Sequence, residues 1–274
     1  MDKIFKLKIF PVLFLIVIVV LNNNALAKKK FKNKPTSFSK PYRCLADLNN
    51  CSKYGATKNG SIPDYVMKSL EVILENSTKY SINPRAINQA VQFYTSNYDN
   101  ICNKKFITIV DYNKPQLKDR LTIINLEDQT IESIKVANGT NTDPDHDGKA
   151  NRFSNNDGDS TSSIGFYLTG KEYIGTKGQS MGLQGLSDNY NSNACSRDIV
   201  LHGDNYPNSK YKVAQGGRSN GCLALTQSDV DSTIQKIQNG SLLYSYHETL
   251  ASAYPVFKNE SLAFDQPNLR IGLK

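Results

Sequence analysis

The apolar positions of this chain change period twice. Ile9 to Leu21 is a continuous apolar run behind Lys3, Lys6 and Lys8. It is followed by Asn22–Asn24 and by small residues at Ala25 and Ala27. A basic start, a short apolar stretch and an Ala-Leu-Ala site predict a secretory signal peptide over residues 1–27, cut after Ala27. The run is too short for a spanning helix of ~20 residues, so no membrane span is expected after cleavage. Residues 28–60 begin with Lys28, Lys29, Lys30, Lys32 and Lys34 and read as a basic, poorly ordered arm.

Helical spacing then takes over. Val66, Leu70, Ile73 and Leu74 share one face of a first helix, with Ser61 expected as its N-cap, Pro63 in the first turn and Asp64 completing a capping box. A second helix opens at Asn83-Pro84 and carries Ile87, Ala90, Val91 and Tyr94 on one face. These form a helical lead-in over residues 61–100. From Phe106 the pattern becomes β-branched and short. Strands are predicted at 106–110, 121–124, 131–136, 164–168, 199–201 and 242–246, with a hairpin turn around Asp128. One late helix is predicted from Asp229 to Gln238, capped by Ser228 and stopped by Asn239-Gly240. A mainly β domain over residues 101–250, with a tail at 251–274, is the economical architecture.

Composition narrows the field. The 274 residues are 39% hydrophobic and 21% charged, which is globular, and the net charge of +8 suits an anionic polymer without demanding nucleic acid. Five Cys are too few for a disulfide framework, and the absence of Trp removes the Cys-Trp signature of papain-like proteases.

The candidate chemistry lies late in the chain. His202 ends an apolar strand and precedes Gly203, and Cys222 follows twenty residues later in Gly217-Arg218-Ser219-Asn220-Gly221-Cys222. A cysteine nucleophile needs a base to become thiolate, and it needs amides aimed at the developing oxyanion. A Gly-rich turn before the Cys can supply the second. If Cys44 pairs with Cys51 and Cys102 with Cys195, the thiol left over is Cys222, although count alone does not decide pairing.

These residues resemble the murein L,D-transpeptidase (YkuD-type) catalytic domain family. Ile109-Val110-Asp111-Tyr112, Arg152-Phe153-Ser154-Asn155 and Ser162 to Gly170 carry the likeness. So do Val200-Leu201-His202-Gly203 and Gly217 to Leu225, and the similar stretch runs from about residue 66 to 247. The resemblance implies an L,D-transpeptidase-type β-sandwich, with Cys222 as nucleophile and His202 as general base. It implies amides near Asn220, Gly221 and Cys222 as the oxyanion hole, and Ser219 ordering the turn or the imidazole. Arg218 and Gly203 fall on the substrate side; for Arg218 a scaffold salt bridge is the alternative. Many members have His where this chain has Asn220, and the subfamily often has Pro where it has Leu223.

The implied reaction is attack on the diamino acid–D-Ala bond of a peptidoglycan stem peptide. A thioester follows, and an amine from a second stem resolves it to a 3→3 cross-link. Water in place of the amine gives an L,D-carboxypeptidase, and a non-catalytic peptidoglycan-binding module is the other class. No cofactor is required, no nucleic acid partner is implied, and the location is the periplasm or cell envelope.

One cluster outside this set draws notice. Asp143, Asp145 and Asp147 alternate before Gly148, as at the opening of a Ca²⁺ loop, but Ser154 stands at the twelfth position in place of a bidentate Glu. No metal is assigned. His247, beside Glu248, reads as a surface or packing residue.

Overall fold

The computed structural model describes residues 61–205, 217–250 and 253. The signal peptide, the basic arm with Cys44 and Cys51, and the tail apart from Ala253 lie outside the described residues. Within them no helix is long and apolar enough to cross a membrane.

Two helices lead in. Helix α1 spans Asp64–Glu75 and buries Val66, Leu70 and Ile73. Its N-cap is Pro63, with no side-chain cap, so Ser61 lies outside the helix and the expected capping box does not form. Proline at the boundary sets the entry angle instead, and Asp64 supplies the negative charge that a helix start favours. Helix α2 spans Pro84–Ser96, and here the sequence-based expectation holds: Asn83 Oδ1 accepts from the amides of Arg85 at 3.0 Å and Ala86 at 3.3 Å. Such a cap is worth ~1 kcal/mol.

The rest is mostly β. The strands are β1 (Phe106–Asp111), β2 (Leu121–Asn125), β3 (Ile131–Ile134), β4 (Gly165–Gly175), β5 (Gly178–Gly185), β6 (Val200–Asp204), β7 (Leu223–Thr226) and β8 (Leu242–Tyr246). They form one eight-stranded sheet in the order β3-β2-β1-β8-β4-β5-β6-β7. The pairs β1–β8 and β6–β7 are parallel, and the others are antiparallel. After β3 the chain leaves one end of this order and bridges the other end, Ala137 to Ala224 and Gly139 to Ser219. The sheet therefore curls, and the two layers of the expected sandwich belong to one continuous sheet.

The predicted β2–β3 hairpin turns on Asp128, whose Oδ1 accepts from the Thr130 amide at 2.9 Å and its hydroxyl at 2.6 Å. The third strand ends at Ile134 rather than Val136, because Arg120 Nε takes the Val136 carbonyl at 3.0 Å. Two strands were not expected. Gly178–Gly185 is glycine-rich and polar, and it is a strand because β4 and β6 pair with it on both sides. Leu223–Thr226 is four residues long and held by β6.

The core lies between α2 and the sheet. Phe93 of α2 stacks on Phe166 of β4 at 3.9 Å, Phe166 stacks on Tyr244 of β8 at 4.1 Å, and Tyr244 donates to Gln89 Oε1 at 2.8 Å. Helix α3, Val230–Ile237, covers β5 and β6. Its N-cap is Asp229 without a side-chain cap, whereas the expected Ser228 bonds Thr226 Oγ1 at 2.9 Å.

Candidate active site

The register of β6 on β7 sets the strand that carries His202 beside the strand that Cys222 leads into. Leu201 pairs with Leu223 and His202 with Ala224 in a parallel ladder. Carried one residue back, this sets Cys222 against Val200. Cys222 itself precedes β7 by one residue, and the Val200 amide of β6 reaches its sulfur.

His202 is 6% exposed, and its Nδ1 lies 3.0 Å from the Gly203 carbonyl oxygen. A carbonyl can only accept. Nδ1 therefore carries the proton, and the lone pair of the neutral ring is on Nε2. Gly203 itself faces the other way: a Cβ there would meet Val230 Cγ1 at 2.8 Å and Gln227 Oε1 at 2.9 Å. It lets α3 approach β6, and it meets the site through its carbonyl.

The turn before Cys222 is built by Ser219. Its hydroxyl donates to the Cys222 carbonyl at 2.7 Å and accepts from the Gly221 amide at 3.1 Å. Gly221 has φ +120°, and a Cβ would sit 2.6 Å from the Thr161 carbonyl oxygen. Only glycine fits both conditions. Because the Gly221 N–H is occupied by Ser219, Asn220 and Cys222 are left as the amides of this trio not taken by Ser219. Asn220 is exposed at the tip.

The turn hangs from the chain that follows β3. The Ser219 amide donates to Asn138 O at 3.0 Å, and its carbonyl accepts from the Thr140 amide at 2.8 Å and hydroxyl at 2.9 Å. Gln116 donates to the Gly217 carbonyl and accepts from the Asn138 amide. Beneath them lies Arg120, fully buried, with Nη2 2.7 Å from Asn138 Oδ1 and its guanidinium 5.0 Å from the centre of the Tyr112 ring. Burial holds Arg120 down to about 10, against the opposing pull of Tyr112, Asp111 and Asp143.

Among the described cysteines, Cys222 is a free thiol, whereas Cys102 and Cys195 are disulfide-bonded. The Cys222 Sγ–H points to the Asp198 carbonyl at 3.5 Å. Burial pushes the thiol above its ordinary value; the Val200 amide pulls it down, Asp198 pushes it up and Arg197 pulls it down. Burial, the largest of these causes, favours the neutral form of the sulfur. The reason is that the turn tucks it away from water against a carbonyl acceptor.

Arg218 is held rather than free. It pairs with Asp143, the two side chains being 5% and 2% exposed, and its Nη1 lies 2.6 Å from His146 Nδ1. Asp143 also accepts from the amides of Asp147 at 3.1 Å and Gly148 at 3.0 Å. The carboxylates of Asp143, Asp145 and Asp147 lie within 4.8 Å of one another. A guanidinium bound to the buried member of this trio takes the place a cation would need. His247 packs its ring 4.9 Å from Phe153, and burial lowers its proton affinity, with Glu248 and Asp111 opposing.

Four residues of this arrangement, Arg197, Asp198, Asn138 and Arg120, carried no sequence signal. Their roles come from contacts across long separations.

The family model for the L,D-transpeptidase catalytic domain matches residues 78–246, more than half of the chain, and the chain belongs to that family. No curated protein matches. Among solved structures, the chain is similar to an L,D-transpeptidase from Stackebrandtia nassauensis at 12% identity, covering 73% of this chain and 87% of that one, with a TM-score of 0.32. It is similar to the helical cell shape determining protein Pgp2 from Campylobacter jejuni at 15% identity, covering 52% of this chain and 47% of that one, with a TM-score of 0.35. It is also similar to L,D-transpeptidase 3 from Mycobacterium tuberculosis at 8% identity, covering 52% and 61%, with a TM-score of 0.32. The chain thus spans about half the length of Pgp2.

Proposed function

We propose that this protein is an exported, cysteine-dependent L,D-transpeptidase acting on peptidoglycan stem peptides. The observation that carries the reading is a free thiol, Cys222, at the end of a glycine turn, leading into the strand that pairs with the one bearing His202, whose Nδ1 meets a carbonyl. A solved L,D-transpeptidase in complex with imipenem makes a carbapenem a natural probe of that thiol.

In this reading a stem enters with its diamino acid–D-Ala bond over Cys222. Sγ attacks the carbonyl carbon as His202 Nε2 takes the thiol proton. The base is needed at that moment because burial favours the neutral thiol. The oxyanion meets the amides of Asn220 and Cys222. The tetrahedral species collapses, the C–N bond breaks, and the His202 imidazolium protonates the departing D-Ala amine. A thioester remains on Cys222. An amine from a second stem attacks it, loses a proton to His202 and expels the sulfur, giving a 3→3 cross-link and restoring the thiol. Metal and organic cofactors have no role in these steps.

Export fits the same picture. The signal pattern at residues 1–27 and the disulfide-bonded Cys102 and Cys195 both favour an oxidising envelope compartment. N-terminal sequencing of the mature form tests it: the chain should begin at Lys28. Incubation with purified muropeptides and mass spectrometry tests the reaction. A cross-linked dimer supports transpeptidation, whereas a shortened stem alone makes water the acceptor.

A further inference from the structure

The corner that precedes β6 touches the nucleophile from a side that the mechanism does not use. Cys222 Sγ contacts the carbonyl of Asp198, which sits in the left-handed region at φ +52°. The adjacent Arg197 reaches back across the site. Its Nη1 donates to the Ser154 carbonyl at 2.7 Å and to Ser163 Oγ, and its Nη2 donates to the Thr161 carbonyl at 2.9 Å. That Thr161 carbonyl is the wall against which Gly221 is pressed. One guanidinium therefore joins the corner at Asp198, the loop over residues 154–163 and the turn that carries Cys222.

The acceptors matter as much as the reach. Two are backbone carbonyls and one is a hydroxyl, so all of these hydrogen bonds go to neutral oxygens. A half-buried guanidinium bonded only to neutral groups keeps its full positive field. If Arg197 served only as a brace, an amide or a lysine could make some of these bonds. What a brace does not need is a charge that its own hydrogen bonds leave unneutralised, one residue from the carbonyl that Cys222 Sγ contacts.

We infer that Arg197 is a positioning residue of the acyl-transfer site, holding a fixed positive charge beside Cys222 while it locks Thr161 against Gly221. The inference rests on Cys222 being the acyl carrier. The ionisable groups around the sulfur come from several elements. His202 projects from β6, Asp198 and Arg197 from the corner before it, and Tyr112 from the end of β1, where Cys222 pushes its hydroxyl up. Asp198 and Arg197 act on the thiol in opposite directions, the acid raising and the guanidinium lowering its proton affinity.

The test reads the thiol, not the turnover, so it stays separate from the transpeptidase reading. The rate of Cys222 alkylation by iodoacetamide is followed against pH in the wild type, Arg197→Lys and Arg197→Gln, with thermal unfolding of each. Arg197→Gln should move the midpoint up by about half a pH unit, about threefold in rate at a fixed pH below it. Arg197→Lys should keep the wild-type midpoint and lose thermal stability, since an ammonium cannot fork to Ser154 and Thr161 together. Equal midpoints in wild type and Arg197→Gln would overturn the inference, as would equal upward shifts in both variants. Should Arg197→Gln fail to fold, Arg197→Lys decides alone: the wild-type midpoint with lowered stability supports the inference, and a raised midpoint overturns it. If C222A retains full transpeptidase activity, the acyl-carrier reading fails, whatever the alkylation profile shows.

Discussion

The Nδ1 of His202 lies 3.0 Å from the carbonyl oxygen of Gly203, the next residue along β6. This contact fixes the ring and selects the tautomer with its lone pair on Nε2. Replacing His202 with Ala removes the proposed base while leaving the Ser219 turn in place. Acylation of Cys222 should slow by ~10²–10⁴-fold in single-turnover measurements, with an unchanged circular dichroism spectrum. Adding Asn220→His should not restore the rate, because Asn220 is exposed at the tip of the turn. Full activity in His202→Ala would assign the base elsewhere.

The raised proton affinity of Cys222 sets a direction with pH. The neutral thiol is favoured by burial, so the thiolate should become the major form only above the ordinary thiol value of ~8.5. Alkylation of the native protein should therefore keep rising with pH past that point. A short thiol peptide should level off earlier. A native midpoint below that of the peptide would contradict the assignment of burial as the largest cause.

Gly221→Ala places a methyl group 2.6 Å from the Thr161 carbonyl at φ +120°. Both the backbone angle and the contact oppose it. A destabilisation of about 2–4 kcal/mol is expected. On a domain of this size that is a fall of roughly 5–15 °C in Tm. Calorimetry checks this, and an unchanged Tm would mean that the turn adjusts.

Arg218 and Asp143 form a pair that water scarcely reaches. Breaking such a pair from either side costs ~3–5 kcal/mol, because the remaining charge is stranded. Arg218→Ala and Asp143→Ala should each lower stability by this order, and the double variant should cost less than their sum. A substrate-gripping arginine behaves differently: Arg218→Ala would then raise KM and leave Tm unchanged. Kinetics and thermal unfolding on the same samples separate the two roles.

The apolar pattern of α1, α2, β1, β2 and β8 makes these elements legible in sequence: the helices bury one face at helical spacing, and the three strands are short runs buried at every position. Strand β5 is not legible. Its Gly-Gln-Ser-Met-Gly-Leu-Gln-Gly run has little strand preference, and pairing on both edges overrides propensity. Ser61 misleads as a cap because Pro63 stands nearer the first turn. In the candidate site, Ser219, Gly221 and Cys222 are neighbours in sequence and His202 stands after a strand twenty residues before Cys222, so these candidates can be named from sequence. The burial that raises the thiol's proton affinity is not visible, since it comes from contacts distant in sequence, such as the Asp198 carbonyl 24 residues away. Arg120 and Asn138 escape notice for the same reason. A buried guanidinium beneath a catalytic turn looks, in sequence, like any arginine before a strand.

The central claim is that Cys222 carries the acyl group. The mature protein is incubated with purified tetrapeptide muropeptides, quenched in acid, and analysed by intact-mass and peptide-mapping mass spectrometry, beside Cys222→Ala. The account predicts a stem lacking its terminal D-Ala joined as a thioester to Cys222, cross-linked dimers in the supernatant, and neither species with Cys222→Ala. A D-Ala-releasing or cross-linking activity that persists in well-folded Cys222→Ala, or an acyl group mapped to another residue, would contradict it.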